Sequence, residues 1–428
     1  MGDDVDGTVT EVEPSTGGSS TGDPGEPGPE FLEPVILELD DLGGDGEVEF
    51  DVPAGAIGFA VALFNHEEGV GDGQFGPMQL VSPAGEFVLD AFTPAGGLVP
   101  SGLGYDGIAA TAVPQGFIEG EVPVFEGTWR ARFAITDPEA TALVQIQRTS
   151  TGDFHGGVLD LHLHIAEGLM IQGPSPRHEV SAQTAADDDA IAARVDAFGL
   201  ALEESFGLSL GEIQYHVLDG AYLEIYGTDM LNEAIEQTQG LPAVQALHVL
   251  LTQHIEPFEG VSVWGISPGA PGVPIVTGHR ASAIGMAMQD VHDPVADALT
   301  LLHELGHYIG LLHTTSIDGS YVDHLADTPT CPGIDVRALG DCPDADNLMF
   351  PAFYQTTGGA GLVVSAQQQR VLWGSPLYRA RAYGGDQAPP GVAGGVSMIP
   401  SVTSGVQAGV ACGHSLSALV RAPASSRP

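Results

Sequence analysis

Residues 303 to 313 read HELGHYIGLLH, three histidines and a glutamate around a glycine. His303 and His307 are four apart, so on a helix their imidazoles leave the same face one turn apart and can share one metal ion. Glu304 adjoins the first histidine but is rotated about 100° around the helix axis, which suits a carboxylate that reaches a metal-activated water rather than the metal. Gly310 lets the chain leave the helix at positive φ, so that His313 turns back as a third ligand. Three neutral imidazoles leave a fourth position open, the coordination of a catalytic rather than a structural zinc site. The chemistry to expect is hydrolysis: zinc lowers the pKa of its water towards about 7, Glu304 takes the proton, the hydroxide attacks a polarised carbonyl, and Glu304 returns the proton to the leaving amine. A bare HExxH arises by chance on ordinary helices; Gly310 and His313 at the required offsets are what make this one specific.

The segment resembles the extended HExxHxxGxxH signature of metzincin zinc endopeptidases. The connection that follows, LADTPTCPGIDVRALGDCPDADNLM, is similar to the cysteine-containing one of pappalysin-type members, particularly bacterial secreted ones. The resemblance covers roughly residues 156–380. It implies His303, His307 and His313 as zinc ligands, Glu304 as general base and acid, and Met349 of DNLMFPAF as the methionine of a turn beneath the metal. It further implies that the strand before the active helix, about 282–289 with Ala283, Gly285 and Ala287, edges the cleft and binds substrate in extended form, as an unpaired strand edge does by strand addition. Many metzincins carry a tyrosine two residues after the turn methionine. This chain has Phe350-Pro351 there, and Tyr354 is the nearest substitute.

These groups need elements to hold them. Asp293 as N-cap with Pro294 at the first helical position predicts a helix running through the motif to Gly310. VLDLHLHIAEGL predicts a strand, and 187–206 an amphipathic helix with Ile191, Val195, Phe198, Leu202 and Phe206 on one stripe. Further strands are expected at 212–219, 246–253 and 282–289, and a last helix at SAQQQRVL, where Ser365 and Gln368 have capping-box spacing. WGISPGAPGVP reads as an irregular loop beside the cleft. From 33 to 155, short apolar runs such as VILELDDL, IGFAVALF and WRARFAITD between Gly/Pro-rich turns predict an all-β sandwich or jelly roll. The fold class is therefore α+β: a mixed twisted sheet with an active-site helix over 156–382, preceded by an all-β sandwich over 33–155. Residues 1–32 are an acidic Gly/Ser/Thr/Pro-rich tether, and 383–428 a low-complexity tail, both expected to be disordered.

Two other sets of residues have two readings each. His162 and His164 alternate on a strand and share a face, as a metal pair or as satisfied strand histidines. Asp318, Asp323 and Asp327 follow His313 as a calcium-binding or simply solvated acidic loop, with a spacing that matches no EF-hand.

Composition narrows the partners. Fifty-seven acids against 12 bases, all arginine, give a net charge of −45. Such a surface repels phosphate backbones and anionic membranes and favours divalent cations and basic peptides, so nucleic acid is excluded as a partner; a salt-adapted source or codon bias accounts for the excess equally well. No apolar run reaches the ~20 residues of a membrane-spanning helix. An N-terminal tether makes sense if an export signal once preceded it, and a lipid-anchored surface protein is one version of that expectation. Cys331 and Cys342 bracket CPGIDVRALGDC; a disulfide between them suits an oxidising compartment and stabilises by roughly 2–3 kcal/mol. The expectation is an exported zinc endopeptidase acting on protein or peptide substrates, with oligomeric state left open. Its rivals are a zinc amidase on a cell-wall or small amide, and an adhesin-like binding protein with a structural zinc.

Overall fold

The computed structural model describes residues 31–382 except 33, 40–45, 65–75, 91–102, 106–107, 117–123, 135–139, 173–175, 242–245, 275, 289–293, 317–322, 332–341 and 352–361. The expected tether before residue 31, the tail from 383, Asp293, Asp318 and Tyr354 lie outside the described residues. The chain is mixed α+β and mostly sheet.

The sheet that carries the site is built around Gly157–Ala166. Its alternation sorts the residues: Leu159, Leu161, Leu163 and Ile165 point into the main core, while His162 and His164 lie on the other face, as a period of two requires. Leu208–Leu218 pairs with it in parallel, and so does Ala246–Thr252. Ile284–Ala287 continues parallel to Ala246–Thr252, and Gly265–Ile266 closes the order antiparallel to Ile284–Ala287. Arg379–Arg381 pairs with the start of the central strand and with Phe31–Leu32, so the last two residues of the expected tether join this sheet.

Helices α1 (Asp189–Phe206) and α3 (Pro294–Tyr308) pack on the leucine face. The start of α1 shifts two residues from 187 because the Asp188 carboxylate caps it, accepting from Ala190 and Ile191 N–H, and Gly207 ends it at φ 70°. Of the predicted stripe, Ile191, Phe198, Leu202 and Phe206 are buried and Val195 packs against them. Arg194 of α1 donates to Asp297 of α3 at 2.7 Å and to the carbonyls of Ala190 and Gln172, so this buried ion pair is fully hydrogen-bonded. A short helix, α2 (Thr228–Glu236), starts after Gly227 without a side-chain cap, and α4 (Ala366–Gly374) has the expected Ser365/Gln368 capping box.

Two antiparallel sheets precede this unit. Five strands run in the order Val35–Leu39, Thr141–Arg148, Ala56–Phe64, Ile108–Val113, Leu103–Tyr105; four run Glu47–Val52, Gly127–Ala134, Gly76–Val81, Phe87–Asp90. Their shared core holds Phe59 edge-to-face with Phe50 and Trp129, at 5.3 and 4.9 Å between ring centroids. The sheets pack closely against the rest: Ala62, Phe64, Ile108 and Ala110 share a core with Val273, Val276 and Ala281. The side-chain amides of Gln145 and Gln147 donate to the Pro376 and Tyr378 carbonyls at 3.2 and 2.8 Å. Among the described residues no helix is long and apolar enough to cross a membrane.

His162 and His164 meet His216 and His248 from the two neighbouring strands. His164 Nε2 is 3.0 Å from His248 Nδ1, His216 Nε2 is 3.1 Å from His162 Nδ1, and the rings lie 4.7–5.3 Å apart. Among the described residues, the groups of three able to share an ion do not include them; they are satisfied strand histidines. Burial, and then the charges of His248, His216 and His162, hold His164 well below the ordinary imidazole range. Burial lowers His162, against the pull of Asp160 and Glu212, and burial and His162 lower His216. In this cluster the unfolded chain takes up protons first as pH falls, so stability declines below about pH 6.5. The thermal midpoint is expected to drop between about pH 7 and 5, less steeply in His164→Gln; identical slopes in a calorimetric comparison would contradict this.

Candidate active site

Helix α3 delivers the first two histidines. Both rings are oriented by backbone carbonyls: His303 Nδ1–H donates to Leu348 O at 2.6 Å and His307 Nδ1–H to Leu311 O at 2.9 Å. A carbonyl can only accept, so in each neutral ring the proton sits on Nδ1 and Nε2 keeps a bare lone pair. The two Nε2 atoms face each other at 3.0 Å. Burial pulls His303 down to about 4, opposed by its bond to Leu348, so the ring is neutral at pH 7. Two lone pairs at that distance repel each other unless a cation lies between them, and a carbonyl on the far nitrogen is the usual support of a metal-bound imidazole.

The chain turns at Gly310 with φ 110°, a value an L side chain rarely adopts, and His313 comes back to the first two. Each of the three histidines offers a nitrogen within 4.8 Å of the others, and all three are buried. The donor set fits a borderline-soft divalent ion such as zinc. Met349 is fully buried, and a Cβ on Gly306, between the two helical ligands, would lie 2.3 Å from its sulfur. The Met349 turn is held by Asn347, whose Oδ1 accepts from Met349 N–H and whose amide exchanges two hydrogen bonds with Gln368 of α4. The cap of α4 and the carbonyl on His303 are thus parts of one network.

Glu304 is fully buried and stands outside the group of three histidines. Its Oε2 accepts from the Ser267 N–H at 2.7 Å. Ser267 follows Gly265–Ile266, and a Cβ on Gly265 would lie 2.6 Å from Glu304 Cγ. The loop reading of WGISPGAPGVP is therefore corrected: it contains the outer strand and the donor that orients the glutamate. Gly272 N–H also caps the end of α3, donating to Tyr308 O at 2.8 Å.

The expectation for Ala283, Gly285 and Ala287 also needs correction. Ile284–Ala287 is an interior strand, paired with Ala246–Thr252 on one edge and Gly265–Ile266 on the other. Ala283, Gly285 and Ala287 are buried. Both ladders of this strand are occupied among the described residues, which leaves Gly265–Ile266 rather than Ile284–Ala287 at the edge.

Cys331 and Cys342 form a disulfide with a Cα–Cα distance of 5.6 Å. It is tied to the site from both ends: Cys331 N–H donates to Thr315 Oγ1, and that hydroxyl donates to Asp344 at 2.7 Å. Asp327 serves α4, accepting from Ser365 Oγ and Gln367 N–H. Asp323 is buried and accepts from Thr328 Oγ1 at 2.6 Å. Burial pushes its carboxyl up to about 7, against bonds from Thr328 and Leu325 and with further upward pressure from Asp327 and Asp344. Residues the sequence did not single out, Leu348, Leu311, Ser267 and Gly265, act here through backbone atoms or the lack of a side chain. Only the small residues in 264–274 signalled a close approach.

No family model matches the chain, and no curated protein matches it. Among solved structures it is similar to metalloproteinase-II from Bacteroides fragilis at 14% identity, over 42% of this chain and 56% of that one, with a TM-score of 0.24. The chain spans little more than half of that structure's length, and at this score the likeness carries no argument.

Opening the 331–342 bond releases a short loop next to the third histidine. Reduction is expected to lower stability by roughly 3 kcal/mol from loop entropy; an unchanged melting temperature under reductant would contradict the pairing.

Proposed function

We propose that this protein is an exported, metzincin-like, pappalysin-type zinc endopeptidase that hydrolyses internal bonds of protein or peptide substrates. The observation that carries the reading is the separation of roles within α3. Three imidazoles bring nitrogens close enough to share one ion, while a buried carboxylate beside them is held by a backbone N–H and is not one of that group. A structural metal site has no use for such a base, which weighs against the adhesin-like reading.

His303, His307 and His313 are the residues that would hold the ion, and Met349 the apolar floor beneath it. Zinc bound there supplies Lewis-acid activation of water and of the scissile carbonyl. Everything else falls to the chain. Glu304 takes the proton of the attacking water on a carboxylate oxygen, keeps it within the buried pocket, and delivers it to the amine as the C–N bond breaks. The Ser267 N–H fixes the carboxylate during both transfers, which limits the motion the reaction requires. The edge assigned to an extended substrate is Gly265–Ile266, the outermost strand of this sheet among the described residues. Its residues are buried like those of Ile284–Ala287, but its outer ladder is not taken by a described strand, and it is continuous with the residue orienting the base. A narrow amidase would need only one or two subsites there, whereas an endopeptidase needs a run of them.

Calcium is a second cation for the loop beyond His313. Buried oxygens of Asp323 and Asp344, Oδ2 and Oδ1, have no hydrogen-bond partner among the described residues, and oxygen ligands of this kind suit calcium. The disulfide and the acidic surface agree with a secreted or cell-surface location.

In Glu304→Gln the ligands are intact and the proton acceptor is gone. Zinc content is expected to match that of the unaltered protein, while hydrolysis of unstructured peptides falls by a factor on the order of 100 or more. Activity retained in this variant would sink the assignment of Glu304.

A further inference from the structure

The sandwich reaches the metal-binding turn through two residues. After Ile108–Val113 the chain runs to Gln115 and Gly116, which lie directly against residues 310–312. Gly116 N–H donates to Gly310 O at 2.8 Å, and Gly116 O accepts from His324 N–H at 3.3 Å, so one residue of the sandwich joins the chain before His313 to the chain after it. The fit is tight on both sides. A Cβ on Gly116 would lie 3.2 Å from Gly310 O and from Leu312 N, and a Cβ on Gly310 would lie 3.2 Å from Gln115 Cβ. Gly116 is not among the glycines with positive φ, so contact rather than backbone conformation requires glycine here. Gln115 is buried and donates from Nε2 to Thr111 Oγ1 at 3.2 Å, which ties the contact to the sandwich sheet.

We propose that Gln115-Gly116 is a positioning element of the metal site, and that the sandwich is a working part of that site rather than a detachable accessory. The Gly310–Leu311 peptide, whose oxygen Gly116 holds, leads into the Leu311 carbonyl that accepts from His307 Nδ1–H, and two residues later into His313. Fixing that peptide sets the ring orientation of the second ligand and the approach of the third. A contact that fixes the peptide leading into a ligand-supporting carbonyl changes metal affinity, where a contact serving only stability changes the melting temperature. The inference rests on the three histidines holding zinc, and does not need the protein to be a peptidase.

The test uses the full chain and reads metal binding, not turnover. Zinc affinity is measured by competition with a chromophoric chelator, and the visible absorption of the cobalt-substituted protein reports the geometry of its ligands. Gly116→Ala is expected to weaken zinc binding about tenfold or more, the range seen for supporting contacts of metal ligands, and to shift the cobalt bands. Leu80→Ala, a fully buried position in the other sheet of the sandwich, is expected to lower the melting temperature and leave both readouts unchanged. Should Gly116→Ala fail to fold, Thr111→Ala, which removes the hydroxyl that accepts from Gln115, is expected to shift zinc affinity in the same direction by a smaller factor. A folded Gly116→Ala, or in its place Thr111→Ala, with unaltered affinity and cobalt spectrum would overturn the proposal, as would an equal loss of affinity in Leu80→Ala. Failure of the unaltered protein to take up zinc would instead remove the metal site itself, whereas zinc uptake without peptidase activity leaves the positioning role standing.

Discussion

Two backbone carbonyls orient the histidines that could hold a metal. Leu348 O and Leu311 O each accept the Nδ1 proton of a helical histidine, which leaves the Nε2 lone pairs of His303 and His307 facing one another. Neither carbonyl belongs to the helix. Leu348 precedes Met349 in a turn braced by α4, and Leu311 follows Gly310 in a turn pressed by the sandwich. The helix supplies spacing, and distant segments supply orientation, in line with the general dependence of metal sites on the groups behind their ligands.

The same economy governs Glu304. Its buried carboxylate accepts from the Ser267 N–H, which fixes the direction of the carboxylate. Glycine is needed at 265 because the strand passes directly over the side chain. The net charge of −45 on the chain favours divalent cations and basic peptides at long range, while the local chemistry rests on a few buried groups.

What the sequence revealed was local. The four-residue step from His303 to His307, the capping box at Ser365 and Gln368, and the alternation around His162 follow from helical and strand periodicity, which act over a few residues. Met349 was named through resemblance alone, and its contact with Gly306 depends on a turn that no periodicity predicts. The outer strand was missed because Gly265–Ile266 is two residues long in a Gly/Pro-rich segment, too short for any alternation. Its neighbour Ile284–Ala287 read as an edge because pairing partners cannot be deduced from a single strand. Likewise His216 and His248 meet His162 and His164 only through the register of three parallel strands, and α2 went unseen because Gly227 offers no capping side chain. The contact of Gly116 with Gly310 joins segments far apart in the chain, where local propensity says nothing.

Whether the three histidines hold a catalytic metal is tested most directly by one measurement. The purified protein is incubated with a mixed library of unstructured peptides, with and without a zinc chelator, and the fragments are identified by mass spectrometry. Internal cleavage that disappears with chelator and returns with added zinc is the result predicted. Stoichiometric zinc with no cleavage of any peptide, or cleavage indifferent to the chelator, would contradict it.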